Sequence, residues 1–105
     1  MDADKVFKAL GDPTRRKLLD LLCEKNGQTL GQLCEHLDMT RQAVTKHLDA
    51  LRRAGLVRIR RDGRERLHEL DARPLEAVDD WLRPYAEAWD ARLAALRTHL
   101  GEDDA

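Results

Sequence analysis

Arg41, Gln42, Thr45 and Lys46 stand near the start of the stretch TRQAVTKHLDALRRAGLV, residues 40–57. Spacings of i, i+1, i+4 and i+5 gather them on one patch of a helix, roughly opposite the apolar stripe of Val44, Leu48 and Leu51. A guanidinium can make two hydrogen bonds to a guanine edge, a glutamine amide can do so with adenine, and threonine offers a hydroxyl or a methyl contact. Arg52 and Arg53 follow two turns later, where they suit phosphates or packing over the wing. In isolation the same patch is also what the wet face of any amphipathic helix looks like. The next segment argues against that plain reading: Arg58, Arg60, Arg61, Arg64 and Arg66 add a second cationic surface directly downstream.

The formal net charge of −1 conceals this clustering. Residues 39–68 hold nine Lys and Arg against three Asp and Glu, whereas residues 69–105 hold four against ten. A neutral total is compatible with a polyanionic partner, because the field that a partner meets is local. No apolar run approaches the roughly 20 residues of a membrane span. The start, MDADKVFKALGD, lacks the basic-then-apolar layout of a signal peptide, so the expected location is cytoplasmic. The two cysteines, Cys23 and Cys34, are too few for a disulfide framework and suit a reducing compartment. With 105 residues, 42% of them hydrophobic and 4% aromatic, residues 1–105 read as a single domain with a leucine-based core.

These side chains need elements to hold them. Val6, Phe7 and Leu10 mark a short first helix, and Asp12-Pro13 caps and opens a second that carries Leu18, Leu19, Leu21 and Leu22. Thr29 caps a third, short helix with Leu30, Leu33, Cys34 and Leu37 inward. After the break at Asp38-Met39, Thr40 caps the fourth, in which Val44, His47, Leu48 and Leu51 face inward and Gly55 lies past the end. LVRIR alternates at period two, Asp62-Gly63 makes a turn, and RLHEL returns as the second strand of a hairpin. From Pro74 to Leu100 the pattern is helical again, with Val78, Trp81, Leu82, Tyr85, Trp89, Leu93, Leu96 and Leu100 in one long stripe. Pro84 removes one backbone donor and predicts a kink or two abutting helices. The fold class is therefore mainly α with a small β-hairpin, in the order α-α-α-α-β-β-α. A tight turn between a short helix and a basic one, followed at once by a hairpin, is a winged helix-turn-helix: residues 29–54 form the helix-turn-helix, 56–70 the wing and 74–100 the terminal helix. The expected partner is double-stranded DNA.

LGDPTRRKLLDLL, followed by QLCEHLDMTRQAVTKHLDALRRAGLVRIRRDGRERLHEL, closely resembles the ArsR/SmtB family of bacterial winged-helix repressors. The resemblance implies a homodimer whose first and last helices pack across a two-fold axis, repressing from a near-palindromic operator. The interface candidates are Val6, Phe7 and Leu10 from the first helix and Trp81, Tyr85, Trp89, Leu93 and Leu96 from the last. The residue pattern agrees, since the terminal stripe holds more apolar surface than one small core covers; the competing reading places Trp81 and Trp89 in the core of their own chain. Metal-sensing relatives of the arsenic and cadmium type carry a Cys-x-Cys where this chain has Thr29 and Gly31, neither of which binds a soft metal. The zinc type needs an Asp-x-His at the start of the terminal helix, and only the second half of such a site is imitated here, by His99 and Glu102. No metal and no cofactor are expected, and the terminal helix resembles a subgroup that lacks the metal ligands.

The remaining chemistry-bearing residues have ordinary readings. His47 is expected to bond a backbone group on the inner side of the fourth helix, His36 to be exposed, and His68 to lie among the wing arginines within reach of phosphate. Cys34 fits a buried structural role. An enzyme is not expected: there is no nucleophile with a base and no phosphate-cradling glycine motif. Two alternatives stay open, a metal- or redox-responsive sensor of the same fold and a winged-helix module for protein or RNA. No small-molecule or metal effector is assigned.

Overall fold

In a computed structural model, residues 3–103 are described, with side chains through residue 99. Helices α1 (Ala3–Leu10), α2 (Pro13–Glu24), α3 (Leu30–Cys34) and α4 (Arg41–Arg53) precede strands β1 (Val57–Asp62) and β2 (Glu65–Leu70), and α5 (Leu75–Asp103) ends the chain. The expected order and fold class hold. Leu100 and Glu102, assigned to the apolar stripe and to the half metal site, have side chains outside the described set.

The helix starts form where short polar side chains satisfy orphan backbone donors. Asp12 Oδ1 accepts from the N–H groups of Thr14 and Arg15 at 2.8 and 3.3 Å, with Pro13 opening α2. Thr29 and Gln32 form a reciprocal capping box on α3, and Thr40 Oγ1 accepts from Ala43 N–H at 3.1 Å to start α4. Gly55, at φ +80°, takes the left-handed conformation that ends α4 and turns the chain toward β1.

The core joins Val6 and Ala9 of α1 with Leu18, Leu19 and Leu22 of α2, Leu33 of α3, and Val44, Leu48 and Leu51 of α4, closed by Leu56 and Val57. Val6 is 0% exposed within the protomer, so it is a core residue and has no surface to give an interface. Among the described residues, no buried side-chain polar atom lacks a hydrogen-bond partner.

Helix α5 is unbroken through Pro84, so the two-helix alternative does not occur. Past Val78 it leaves the core: Trp81, Tyr85 and Trp89 are 54%, 60% and 59% exposed. The reading that buries both tryptophans in their own chain is thereby overturned. The molecule extends 66 × 29 × 23 Å with a radius of gyration of 18.8 Å, against roughly 13 Å for a compact chain of this length. A 29-residue helix is about 43 Å long and accounts for the excess. Phe7 meets Trp81 edge-on at 5.4 Å between ring centroids, and Trp81 meets Tyr85 at 5.1 Å, so α1 and α5 share one aromatic surface.

Candidate nucleic-acid interface

Thr40, Arg41, Gln42, Thr45 and Lys46 are all exposed, while Val44, Leu48 and Leu51 anchor their helix in the core. A groove of about 460 Å³ separates α3 and α4 from the hairpin; its walls include Thr29, Gly31, Arg41, Thr45, Arg52, Arg64, Arg66 and His68. Arg41 and Thr45 thus face the wing. Gln42 and Lys46 lie about 100° further round the helix axis, on the outer crest of α4. Thr29, expected as the cap of α3, and Gly31, notable in the sequence as a place without a thiol, prove to be part of the groove wall.

Strand register sorts the wing arginines. Directly paired residues share a face of a sheet, so Ile59 with His68 and Arg61 with Arg66 lie on the groove side. Arg58 pairs with Glu69 and Arg60 with Leu67 on the other face, and both arginines reach the Glu69 carboxylate, at 3.6 and 3.3 Å. The sequence presents the five as one cationic surface; the hairpin divides them. Arg52 is also partnered, with Asp49 at 3.6 Å. By contrast, Arg61 and Arg66 face each other as like charges, a juxtaposition that destabilises a bare hairpin.

Two histidine expectations need correction. His68 is 7% exposed, with Nδ1 3.0 Å from the Gln28 carbonyl, so it pins the wing to the body and has little surface to offer a phosphate. Burial, then the positive charges of Arg66 and Arg52, hold its pKa below the usual histidine value despite the Gln28 contact. His47 bonds side chains rather than backbone: Arg15 Nε donates to its Nδ1 at 3.2 Å, and Asp12 lies 3.9 Å away. Partial desolvation works against the Asp12 charge. The N–H groups of Arg15 and Thr14 and the nearby His47 and Arg15 outweigh it, and the carboxyl sits below its usual value. This cluster ties the start of α2 to α4.

Gln28 carries positioning that the apolar pattern gave no sign of. Its backbone exchanges two hydrogen bonds with His68, at 3.1 and 2.7 Å, and its amide donates to the carbonyls of Leu21 and Lys25 at the end of α2. Asn26 Oδ1 accepts from Leu70 N–H at 2.8 Å. The wing is therefore fastened to the end of α2 at two points, which fixes the width of the groove.

Among the described residues no three His, Cys, Asp or Glu come together to hold a metal ion. Cys23 is exposed, and Cys34 is half-buried against the core rather than enclosed. His36 is exposed, as expected. No described helix is long and apolar enough to cross a membrane.

A short helix, a tight turn, a basic exposed helix seated on the core and a cationic hairpin beside it define a winged helix-turn-helix DNA-binding protein. Residues 10–60 match the family model of a helix-turn-helix domain. An ArsR-like transcriptional regulator from Rhodococcus sp. RHA1 is 35% identical, with 91% of this chain and 90% of that chain covered at a TM-score of 0.70. A crystal structure of another ArsR family transcriptional regulator is 33% identical, covering 83% and 89%, at 0.71. A homodimeric winged helix-turn-helix DNA-binding domain from Mycobacterium bovis shares the fold at 24% identity, covering 80% and 77%, with a TM-score of 0.63. No curated protein sequence matches. The chain belongs to the ArsR family of transcriptional regulators and is a DNA-binding regulator of transcription.

Proposed function

We propose that this regulator is a repressor that binds a near-palindromic operator as a homodimer. The observation that carries the reading is the groove, where Arg41 and Thr45 on α4 oppose Arg64 and Arg66 on the wing. In this arrangement α4 enters a major groove with Arg41, Gln42, Thr45 and Lys46 toward base edges, and the wing lies over backbone or minor groove. Residues 29–54, 56–70 and 74–100 divide the labour among base reading, backbone contact and dimerisation. Arg61, Arg64 and Arg66 take phosphates directly. Arg52, Arg53, Arg58 and Arg60 border the same surface, three of them already paired with carboxylates.

The exposed stripe of Trp81, Tyr85, Trp89 and Leu96, with Phe7 beside it and Leu93 and Leu10 half-buried at its edges, is the surface a second copy covers. Exposed aromatic patches of this kind mark protein contacts, and the M. bovis protein of the same fold is described as homodimeric. A DNA-bound repressor works in the cytoplasm.

Selection of bound sequences from a random duplex pool tests the reading, run with zinc and again with a chelator. Two inverted half-sites separated by about one helical turn, or a multiple of it, are expected; a single asymmetric site would refute the dimeric arrangement. Replacing Gln42 or Arg41 with Ala should relax base preference by about 1–3 kcal/mol for each bidentate pair removed. A promoter carrying the selected site in front of a reporter should fall in output when the protein is supplied, and a rise would overturn repression.

A further inference from the structure

A second cationic surface lies outside the helix-turn-helix and wing. A cleft of about 370 Å³ between α1 and α4 is lined by Lys5, Lys8, Arg15 and Arg53 over a floor of Ala9, Ala50 and Ala54, with no carboxylate among the described residues of its walls. We propose that this cleft binds phosphates of the DNA backbone, extending the operator contact from α4 onto α1. The inference rests on the DNA-binding reading above and deepens it.

Four features carry it. First, among the described residues, Lys5, Lys8 and Arg53 enter no salt bridge, unlike Arg52, Arg58 and Arg60, whose charges are partly met by Asp49 and Glu69. Asp12 partly meets the charge of Arg15, whereas the like charge of Lys5, Lys8 and Arg53 has no carboxylate partner among the described residues; such concentrated charge raises the energy of the free protein and is relieved by a polyanion. Second, the side chain of Arg15 is held in place, its Nε donating to His47 on α4 at 3.2 Å. Third, the alanine floor leaves room for a phosphate to come close to both helices, where longer side chains would fill the gap. Fourth, the cleft adjoins the proposed interface: Arg53 lines it and also lines the neighbouring hollow with Arg52, Arg58 and Asp49, so arginines run round α4 from wing to α1 with one carboxylate among them. Lys5 and Lys8 stand about 100–160° round α1 from Phe7, which meets Trp81, and so lie off the apolar α1–α5 surface.

Phosphate binding positions a protein without reading bases. The cleft is therefore expected to add affinity equally on operator and unrelated duplex.

The test uses the full chain with Lys5→Gln and Lys8→Gln together, beside the charge-preserving pair Lys5→Arg and Lys8→Arg. Binding to operator and scrambled duplex is followed by fluorescence anisotropy across salt, with thermal melting as a control on folding. For each phosphate no longer neutralised, the slope of log affinity against log salt should become shallower by about 0.9, a reduction of about 3.5-fold in the affinity change between 50 and 200 mM salt. Discrimination between the duplexes should not change, and the arginine pair should keep the parent slope. An unchanged slope in a folded glutamine pair overturns the proposal. So would a cleft specific for small anions: inorganic pyrophosphate would raise the melting temperature of the parent but not of the glutamine pair, with DNA binding equal in both. If the parent itself binds no duplex, the DNA reading fails as a whole; a steep parent slope unaffected by the substitutions removes only the cleft.

Discussion

Replacing Arg66 with Gln should move stability and DNA binding in opposite directions. Arg66 faces Arg61 directly across the hairpin and neither has a carboxylate partner among the described residues, so the folded wing carries an unrelieved repulsion. Like charges directly opposite in a strand pair cost about 0.2–1 kcal/mol. For a domain near 100 residues, removing that cost corresponds to a rise in melting temperature of roughly 1–6 °C. Arg66 also lines the groove, and one neutralised phosphate contributes about 0.9 to the salt slope, or about eightfold in affinity at 0.1 M relative to 1 M salt, about 1.2 kcal/mol. A homodimer should show twice that change in slope. Differential scanning calorimetry in the absence of DNA and anisotropy titrations at four salt concentrations measure the two effects on one preparation. A melting temperature several degrees lower in Arg66→Gln would refute the repulsion, because the side chain would then be holding the wing rather than straining it. An unchanged salt slope would equally refute its role at a phosphate.

Trp89 is 59% exposed in the protomer, so Trp89→Glu should leave the core folded yet give a monomer in sedimentation at micromolar concentration; a stable dimer would place the interface elsewhere. Thr40→Ala removes the acceptor for Ala43 N–H and should cost about 0.5–2 kcal/mol in urea titrations, with weaker operator binding because the end of α4 proposed to read bases frays. His68 titrates below its ordinary value of 6.5 in the fold. The unfolded chain therefore takes the proton first, so stability is whole above pH 6.5 and declines as pH falls toward the folded value. A melting curve series from about pH 7.5 to about pH 4.5 should show that slope, and His68→Gln should flatten it. Asp71, hydrogen-bonded to Arg73, is lowered to about 2 from 3.8, so its contribution is present above pH 3.8 and disappears as pH falls toward 2; Asp71→Asn should remove that part of the acid response.

The capped starts of α2, α3 and α4 were legible because capping is local: the residue that accepts the bond lies two or three positions from the donor. The same holds for the left-handed Gly55 and for the turn at Asp62-Gly63. The exposed face of α4 was also legible, since helical period alone separates Arg41, Gln42, Thr45 and Lys46 from Val44, Leu48 and Leu51. Pro84 misled in part, because losing one backbone hydrogen bond did not stop α5 from continuing.

What the chain determined by itself was the order of elements, the side of α4 that faces outward and the clustering of charge in its middle third, because each depends on spacings of a few residues. Only the tertiary structure decided the rest. It turned Arg61, Arg64 and Arg66 to one part of the wing and set Arg58 and Arg60 against Glu69. It buried His68 on Gln28, forty residues away, and linked His47 to Arg15. It enclosed Val6 while leaving Trp81 and Trp89 outside, and it brought Lys5 and Lys8 beside Arg53. Each of these follows from strand register or from the docking of one helix on another, and such long-range pairings leave no mark in the local pattern of residues.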